Sequence, residues 1–401
     1  MKNLKGNLIQ KMKNLKYRVV KKNFLINQYL SDKKMLIKHN YLTEQFQNSK
    51  KIFKLIKDTL KFNDFTLGRY VEKFELEFCR YQKTKYAIGV GSGTDAIFLS
   101  LKALGIKEGD EVITPAYSFY ATAGAIAATG AKPVFVDIKN DLNIDENKIE
   151  KKITKRTKAI VPVHWSGRIC NMKIISKIAK KFKLFIVEDA CHAIVAHDDK
   201  NKFAGNFGIT GCFSMHPLKN LNVWGDGGII TTNNKTMYKK LKLLRNHGLV
   251  DRNNCKIYGY NSRLDTIQAA VALEMIKKIN FITKKRIKNA TYFNEKLKKN
   301  KNIKLIFEQK NYKSVFHLYQ FLCTRRNDLN RFLRKNKVDS KIHYPRPLHL
   351  HTAAKKFDYK KGDYPCAEKL SKQVISIPVH EFMKKKQLNF IIKKIENFYN
   401  Q

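Results

Sequence analysis

Seven short apolar runs limit most strongly what this chain can fold into. They fall at Tyr86–Val90, Glu111–Pro115, Lys132–Asp137, Lys158–His164, Lys183–Asp189, Gly211–Met215 and Gly228–Thr232. Several, such as AIVPV and LFIVED, are apolar without alternation, the pattern of strands buried on both faces. Helical patterns separate the earlier runs, at Thr94–Leu104, Ala121–Ala128 and Met172–Lys181. Repeated strand–helix units predict a mostly parallel sheet with helices on both sides. The last runs follow without long helices between them, so part of the sheet is expected to be antiparallel.

Beyond the runs the pattern becomes mixed. A long helix is expected from Ser262 to Lys278, with Ser262 as N-cap and Asp265 three residues on. Lys285–Lys299, Leu329–Lys335 and Gln387–Tyr399 read as helices and Ser314–Cys323 as a strand. The division that follows is a basic extension over 1–38, a large α/β domain over 39–278 and a small α+β domain over 279–401. The Lys/Asn-rich segment 1–34 has too few large apolar residues for a core of its own. It is expected to be dispensable, Met35 serving as an alternative start. The competing reading is a basic helix that tethers the protein to an acidic membrane surface or a partner.

Composition narrows the function classes. With 43% hydrophobic and 28% charged residues, wholesale disorder is excluded. No run approaches the ~18–20 apolar residues of a membrane span, and no apolar leader precedes a small-residue cleavage site. Seven cysteines form no CxxC pair, which argues against a zinc ribbon and for a reducing cytoplasm. The net charge of +47 suggests a polyanion partner when taken alone. Only 14 of the 80 basic residues are arginine, whereas nucleic-acid readers lean on arginine for bidentate contacts. The lysines are spread over the whole chain, so a solvated basic surface, attractive to anionic small molecules, is the simpler reading.

Four pieces fall at strand ends, where parallel α/β sheets bind ligands. Gly91-Ser92-Gly93-Thr94-Asp95 closes one strand and opens a helix, offering free N–H groups to a phosphate. Glu188-Asp189-Ala190-Cys191-His192 puts a carboxylate at the end of an apolar strand. Phe213-Ser214-Met215-His216-Pro217-Leu218-Lys219-Asn220 supplies a hydroxyl and an amine suited to a Schiff base, before the loop Gly225-Asp226-Gly227-Gly228. Tyr260-Asn261-Ser262-Arg263-Leu264-Asp265 opens the long helix.

In this order the pieces resemble the DegT/DnrJ/StrS-type sugar aminotransferases. The resemblance covers roughly residues 39 to 400 and includes FTLGRYVEKFELEF, VGSGTDAIFLSLKALGIKEGDEVITPAYSFYATAGAI, PVHWSGR, VEDACHA, FSMHPLKN, GDGGIITT, GYNSRLDTIQAA and YPRPLHL. It implies a pyridoxal-phosphate enzyme with the aspartate aminotransferase-like fold (fold type I). By the same resemblance Lys219 would form the Schiff base with pyridoxal 5'-phosphate, and Asp189 would pair with the pyridine nitrogen. Gly93, Thr94 and Ser214 would cradle the phosphate, and Phe119 would stack on the ring. Asn261 would reach the phosphate bound by a neighbouring subunit, implying a homodimer with shared active sites. His192 stands where the family commonly has Gln, beside the cofactor's phenolic oxygen, and its protonation there is expected to depend on pH. HWSGR replaces the commoner HLYG. His343, Tyr344 and His349 lie in the segment that meets substrate, while His164, His216 and His247 are read as structural or supporting.

The implied activity is amino transfer from L-glutamate to a keto sugar, nucleotide-linked, in a ping-pong cycle serving polysaccharide or amino-sugar biosynthesis in the cytoplasm. No metal, nucleic acid or membrane insertion enters that reading. Lysine at 219 separates the chain from relatives with histidine there, which dehydrate. The alternatives are a keto-inositol acceptor, a dehydratase-like relative, or a basic nucleic-acid-binding protein on an inactive aminotransferase scaffold.

Overall fold

A computed structural model describes residues 35–39, 41–306 and 309–401. The expectations placed on residues 1–34 lie outside the described residues. Seven strands form where the apolar runs predict them: β1 (Tyr86–Val90), β2 (Glu111–Pro115), β3 (Lys132–Val136), β4 (Thr157–Ile160), β5 (Phe185–Asp189), β6 (Thr210–Ser214) and β7 (Gly228–Thr232). Their order across the sheet is β1-β7-β6-β5-β4-β2-β3. Pairings are parallel from β6 through to β3, whereas β7 runs against both β1 and β6. The mostly parallel sheet of the large domain and its antiparallel part are therefore both present. β4 is shorter than expected because Pro162 carries no N–H to continue the ladder.

Helices cover both faces. Gly93–Ala103 and Lys235–Leu244 pack on one side, in a core with Ile88, Val112, Val187 and Ile230. On the other, Arg69–Gln82 and Thr266–Ile276 share a core with Ile113, Ile160 and Phe213. Phe74 and Phe78 on the helix Arg69–Gln82 are fully buried there, each worth about 1.5–3 kcal/mol.

The smaller C-terminal sheet has the order β10-β9-β8, from Ile303–Leu305 (β8), Tyr319–Cys323 (β9) and Val374–Ile377 (β10), all antiparallel. The helices Arg326–Lys335 and Lys385–Tyr399 pack on it.

Three expectations need correction. The helix after β7's connection begins at Thr266, not Ser262. The Ser262 N–H donates to Arg245 and its carbonyl accepts from Gly91, so the 261–265 backbone runs as an extended strip rather than a first turn. The strand expected from Ser314 begins only at Tyr319, because Val315 and His317 donate instead to Gly167 and Ser166 of the large domain. Residues 35–38, assigned to the extension, belong to the fold: Ile37 is 1% exposed within the small-domain core and bridges Val338. At the other boundary, the helix Ile279–Leu297 serves both cores, with Ile279 and Ile282 in the large one and Phe293 and Leu297 in the small.

Candidate active site

The carboxyl ends of β1, β5 and β6 meet the start of β7 at one edge of the sheet, since β7 alone is reversed. Topology thus gathers the four pieces. After β1, Ser92 takes an extended conformation and caps the helix Gly93–Ala103, its Oγ accepting from the Asp95 N–H at 3.0 Å. The Gly93 and Thr94 N–H groups find no acceptor among the described residues and remain open to an anion. Both neighbouring contacts require glycine. A Cβ on Gly93 would lie 2.6 Å from Ser214 Cβ, and one on Gly228 would lie 2.1 Å from the Ser92 carbonyl oxygen. The Ser214 side chain therefore sits against the same turn.

Asp189 ends β5 and is 5% exposed. Its Oδ2 accepts from Thr122 Oγ1 at 2.8 Å and its Oδ1 from the Cys191 N–H at 3.2 Å. Thr122, on the helix Tyr120–Ala128, is itself fixed by Ser118 at 3.0 Å. Lys219 follows β6 in a turn whose N–H donates to the His216 carbonyl at 2.8 Å. It lines a small cavity together with Cys191, His192, Ser214 and Asn220. Burial pulls its ammonium below the ordinary lysine range, against the opposing influence of Cys191 and Asp189.

His192 is 7% exposed, and its Nδ1 accepts from the Ser166 N–H at 3.2 Å. Its ring packs on His317 at 4.2 Å and on Trp165 at 5.0 Å between centroids. Burial, followed by Lys219 and His343, holds it well below the usual histidine pKa. The ring is therefore neutral at physiological pH, with Nδ1 an acceptor and the proton on Nε2. This corrects the expectation of pH-dependent protonation: desolvation beside a cation moves the titration out of range. The HWSGR departure forms this wall. Trp165 is fully buried and donates from Nε1 to Gln320, while Ser166 adopts a left-handed backbone (φ 61°) with its Oγ on the Leu318 carbonyl.

Phe119 is 37% exposed and lies 5.6 Å from the Tyr344 ring. His343 is next to Tyr344, its Nδ1 2.9 Å from Ser376 Oγ, and burial lowers its pKa to about 3. Asn261 is exposed and directly precedes Ser262, whose carbonyl holds the Gly91 N–H at 3.2 Å. His349 does not join them. It is 1% exposed, paired with Glu368 at 3.0 Å and packed on Tyr364, so the assignment as a substrate contact is withdrawn. His164 is structural, donating from Nε2 to Glu188 at 2.9 Å while its Nδ1 accepts from the Cys170 N–H.

Sequence reasoning missed Thr122, Tyr41 and His317. Thr122 had a signal, a polar residue buried in the apolar run ATAGAI. Tyr41 and His317 had none, because each reaches the site from a distant segment. Among the described residues no cluster of three or more His, Cys, Asp or Glu could hold a metal, and no helix is long and apolar enough to cross a membrane.

The family model described as the DegT/DnrJ/EryC1/StrS aminotransferase family matches residues 47–396. A "Pleiotropic regulatory protein" of Geobacillus stearothermophilus is 38% identical over 87% of this chain and 94% of its own length. A dTDP-3-amino-3,4,6-trideoxy-alpha-D-glucose transaminase of Streptomyces venezuelae is 34% identical, over 83% and 88%. Among solved structures, Bacillus subtilis NtdA with its cofactor PMP bound superposes with a TM-score of 0.83 at 32% identity, covering 90% or less of each chain (88% of this one, 82% of that one).

Proposed function

Because the chain belongs to the DegT/DnrJ/EryC1/StrS aminotransferase family, we propose that it uses pyridoxal 5'-phosphate to move an amino group from L-glutamate to a nucleotide-linked keto sugar. The observation that carries this reading is a buried amine of lowered basicity, Lys219, which shares a cavity with Ser214 and His192 and feels the charge of Asp189, while the Gly93 turn against Ser214 presents helix N–H groups with no acceptor among the described residues. That donor set fits a phosphorylated pyridine. The glycine contacts at 93 and 228 leave the turn bare of side chains, and Ser214 supplies a hydroxyl.

When bound, the cofactor supplies an electron sink for the bond broken at the donor's Cα. The residues of the chain do the rest. Gly93, Thr94 and Ser214 would hold the phosphate. Asp189, oriented by Thr122 and the Cys191 N–H, would keep the pyridine nitrogen protonated. The neutral His192, its Nδ1 committed to Ser166, would offer Nε2–H to the phenolic oxygen. Phe119 would cover the ring face, and Asn261 would serve the phosphate of a second subunit in a homodimer. Lys219 would first hold the cofactor. As a free amine, its Nζ would take the donor's Cα proton, a task for which a lowered amine pKa keeps more of the free base available. His343 and Tyr344 would meet the sugar substrate.

Screening keto-sugar nucleotides for glutamate-dependent turnover tests the reading. The protein should carry a visible cofactor band that borohydride discharges. Lys219→Ala should lose that band and at least about 10⁴-fold in turnover. A protein without the band, or an active Lys219→Ala variant, sinks the proposal.

A further inference from the structure

Two arms start as hydrogen bonds at the Lys219 turn and converge on one buried cation, Arg286 of the helix Ile279–Leu297, the first through a ring contact and the second through an ion pair. In the first arm, Tyr41 Oη donates to the Lys219 carbonyl at 3.3 Å, and the Arg286 guanidinium lies 5.0 Å from the Tyr41 ring centroid. In the second, Asn222 donates to the Pro217 carbonyl and to Gln45 Oε1 (2.7 Å), and Gln45 donates to Glu381 Oε1 at 3.3 Å. Glu381 Oε2 is 3.5 Å from Arg286 Nε, and both side chains are at most 2% exposed.

From the same guanidinium, Nη1 donates to the carbonyls of Phe316 and His317, at 3.3 and 3.2 Å. The His317 ring is the one that packs on His192. One side chain thus fixes both walls of the pocket, the amine-bearing turn and the imidazole wall, without lining the pocket itself. A buried ion pair is weak evidence for stability, since an apolar pair of equal volume often does as well. Here Nη1 holds both carbonyls while Nε faces Glu381 and the guanidinium lies by the Tyr41 ring, an arrangement spread over a planar group that a single ammonium nitrogen does not reproduce.

We infer that Arg286 is a positioning residue that sets the Lys219 turn in register with the His192–His317 wall, so that the placement of the amine depends on the small domain. The inference rests on the aminotransferase reading for its kinetic arm only.

The test is hydrogen exchange and kinetics on the full chain. In Arg286→Met, amides of residues 216–224 and of 314–318 should exchange about tenfold faster together, with the sheet strands unchanged. Donor half-reaction kcat should fall at least about tenfold while KM stays within about twofold, since misplacement harms proton transfer more than binding. Arg286→Lys, which keeps the charge but not the planar group that reaches Glu381, Tyr41 and the two carbonyls together, should still loosen 314–318. Tyr41→Phe, which deletes one hydroxyl, should loosen 216–224 alone, and it serves as the test if the arginine variants fail to fold. Exchange that changes in only one segment of Arg286→Met, kcat within twofold of wild type, or unchanged 216–224 in Tyr41→Phe would overturn the inference. The exchange arm is read without cofactor, so a wild-type protein lacking the visible band defeats the functional reading and leaves this one to be decided by exchange alone.

Discussion

Glu188 and Asp189 are consecutive carboxylates on β5, and the pleat sends them to opposite faces of the sheet. Glu188 is fully buried and saturated. Its Oε1 accepts from the Phe207 and Gly208 N–H groups at 2.6 Å each, and its Oε2 from Gly205 N–H at 2.7 Å and His164 Nε2 at 2.9 Å. Asp189 has two donors, Thr122 and the Cys191 N–H, and stands next to Lys219. Both acids are inside the protein and both are hydrogen-bonded. What separates them is acceptor capacity left over after the fold is satisfied. Glu188 has used its four lone-pair directions to pin the 205–208 loop and is committed to structure. Asp189 is oriented by two bonds and keeps capacity for a partner that the chain does not supply.

The contrast can be broken by exchanging each acid for its amide. Asp189→Asn should lower turnover by about 10²–10³-fold, the scale for losing one preorganised charge. Its thermal stability should stay within about 1 kcal/mol of wild type, with some cofactor retained. A variant running near the wild-type rate would remove Asp189 from the chemistry. Glu188→Gln should do the opposite. Its amide group would face N–H donors that now meet a carboxylate, at a cost of about 3 kcal/mol in unfolding free energy by urea melts. Activity per folded molecule should remain within a few-fold. A stable but inactive Glu188→Gln would mean that the two faces were assigned the wrong way round.

The histidines extend the comparison to pH. Burial chiefly, with neighbouring cations, lowers His39, His343 and His380 to about 3. An unfolded histidine takes up its proton near 6.5, so below that pH the unfolded chain binds protons that the fold refuses. Stability should therefore be complete above about pH 6.5 and fall as pH drops toward 3, by about 1.4 kcal/mol per pH unit for each such histidine. Melts at pH 7.5, 6 and 5 check the slope, and a flat profile would show that these rings reach solvent. The smallest expected effect is at His192→Gln. Since the ring already acts as a neutral donor, turnover should change by only about threefold and its pH profile between 6 and 8 should keep its shape. A new ionisation appearing or disappearing in that range would show that His192 titrates after all.

Much of the site was legible because its pieces are local. A glycine turn that opens a helix, a carboxylate that closes an apolar run and a lysine after a strand are each visible within a few residues, but each alone is a weak signal, and only their order, through the family resemblance, singled them out. Strand bounds at β1, β2 and β7 matched because apolar runs between turns are decided locally. Misreadings arose where a distant segment competes for the backbone. Ser262 could have capped a helix, but Gly91 and Arg245 take its polar groups. Residues 314–318 could have extended β9, but the HWSGR wall takes their N–H groups. His349 looked like a substrate contact by its place in YPRPLHL, until packing on Tyr364 and pairing with Glu368 enclosed it.

By itself, then, the sequence determined the seven strands and the order of the strand-end pieces, because periodicity and turn chemistry act over short spans; the roles proposed for Lys219 and Asp189 come from the family resemblance. Only the tertiary structure decided which of two adjacent acids is left with unused acceptor capacity, which tautomer His192 holds, that Tyr41 links the Lys219 turn to Arg286, and that Ile37 belongs to the small-domain core. Those outcomes depend on burial and on hydrogen-bond partners up to 342 positions away, as between His380 and Lys38, and no local pattern encodes a partner at that distance.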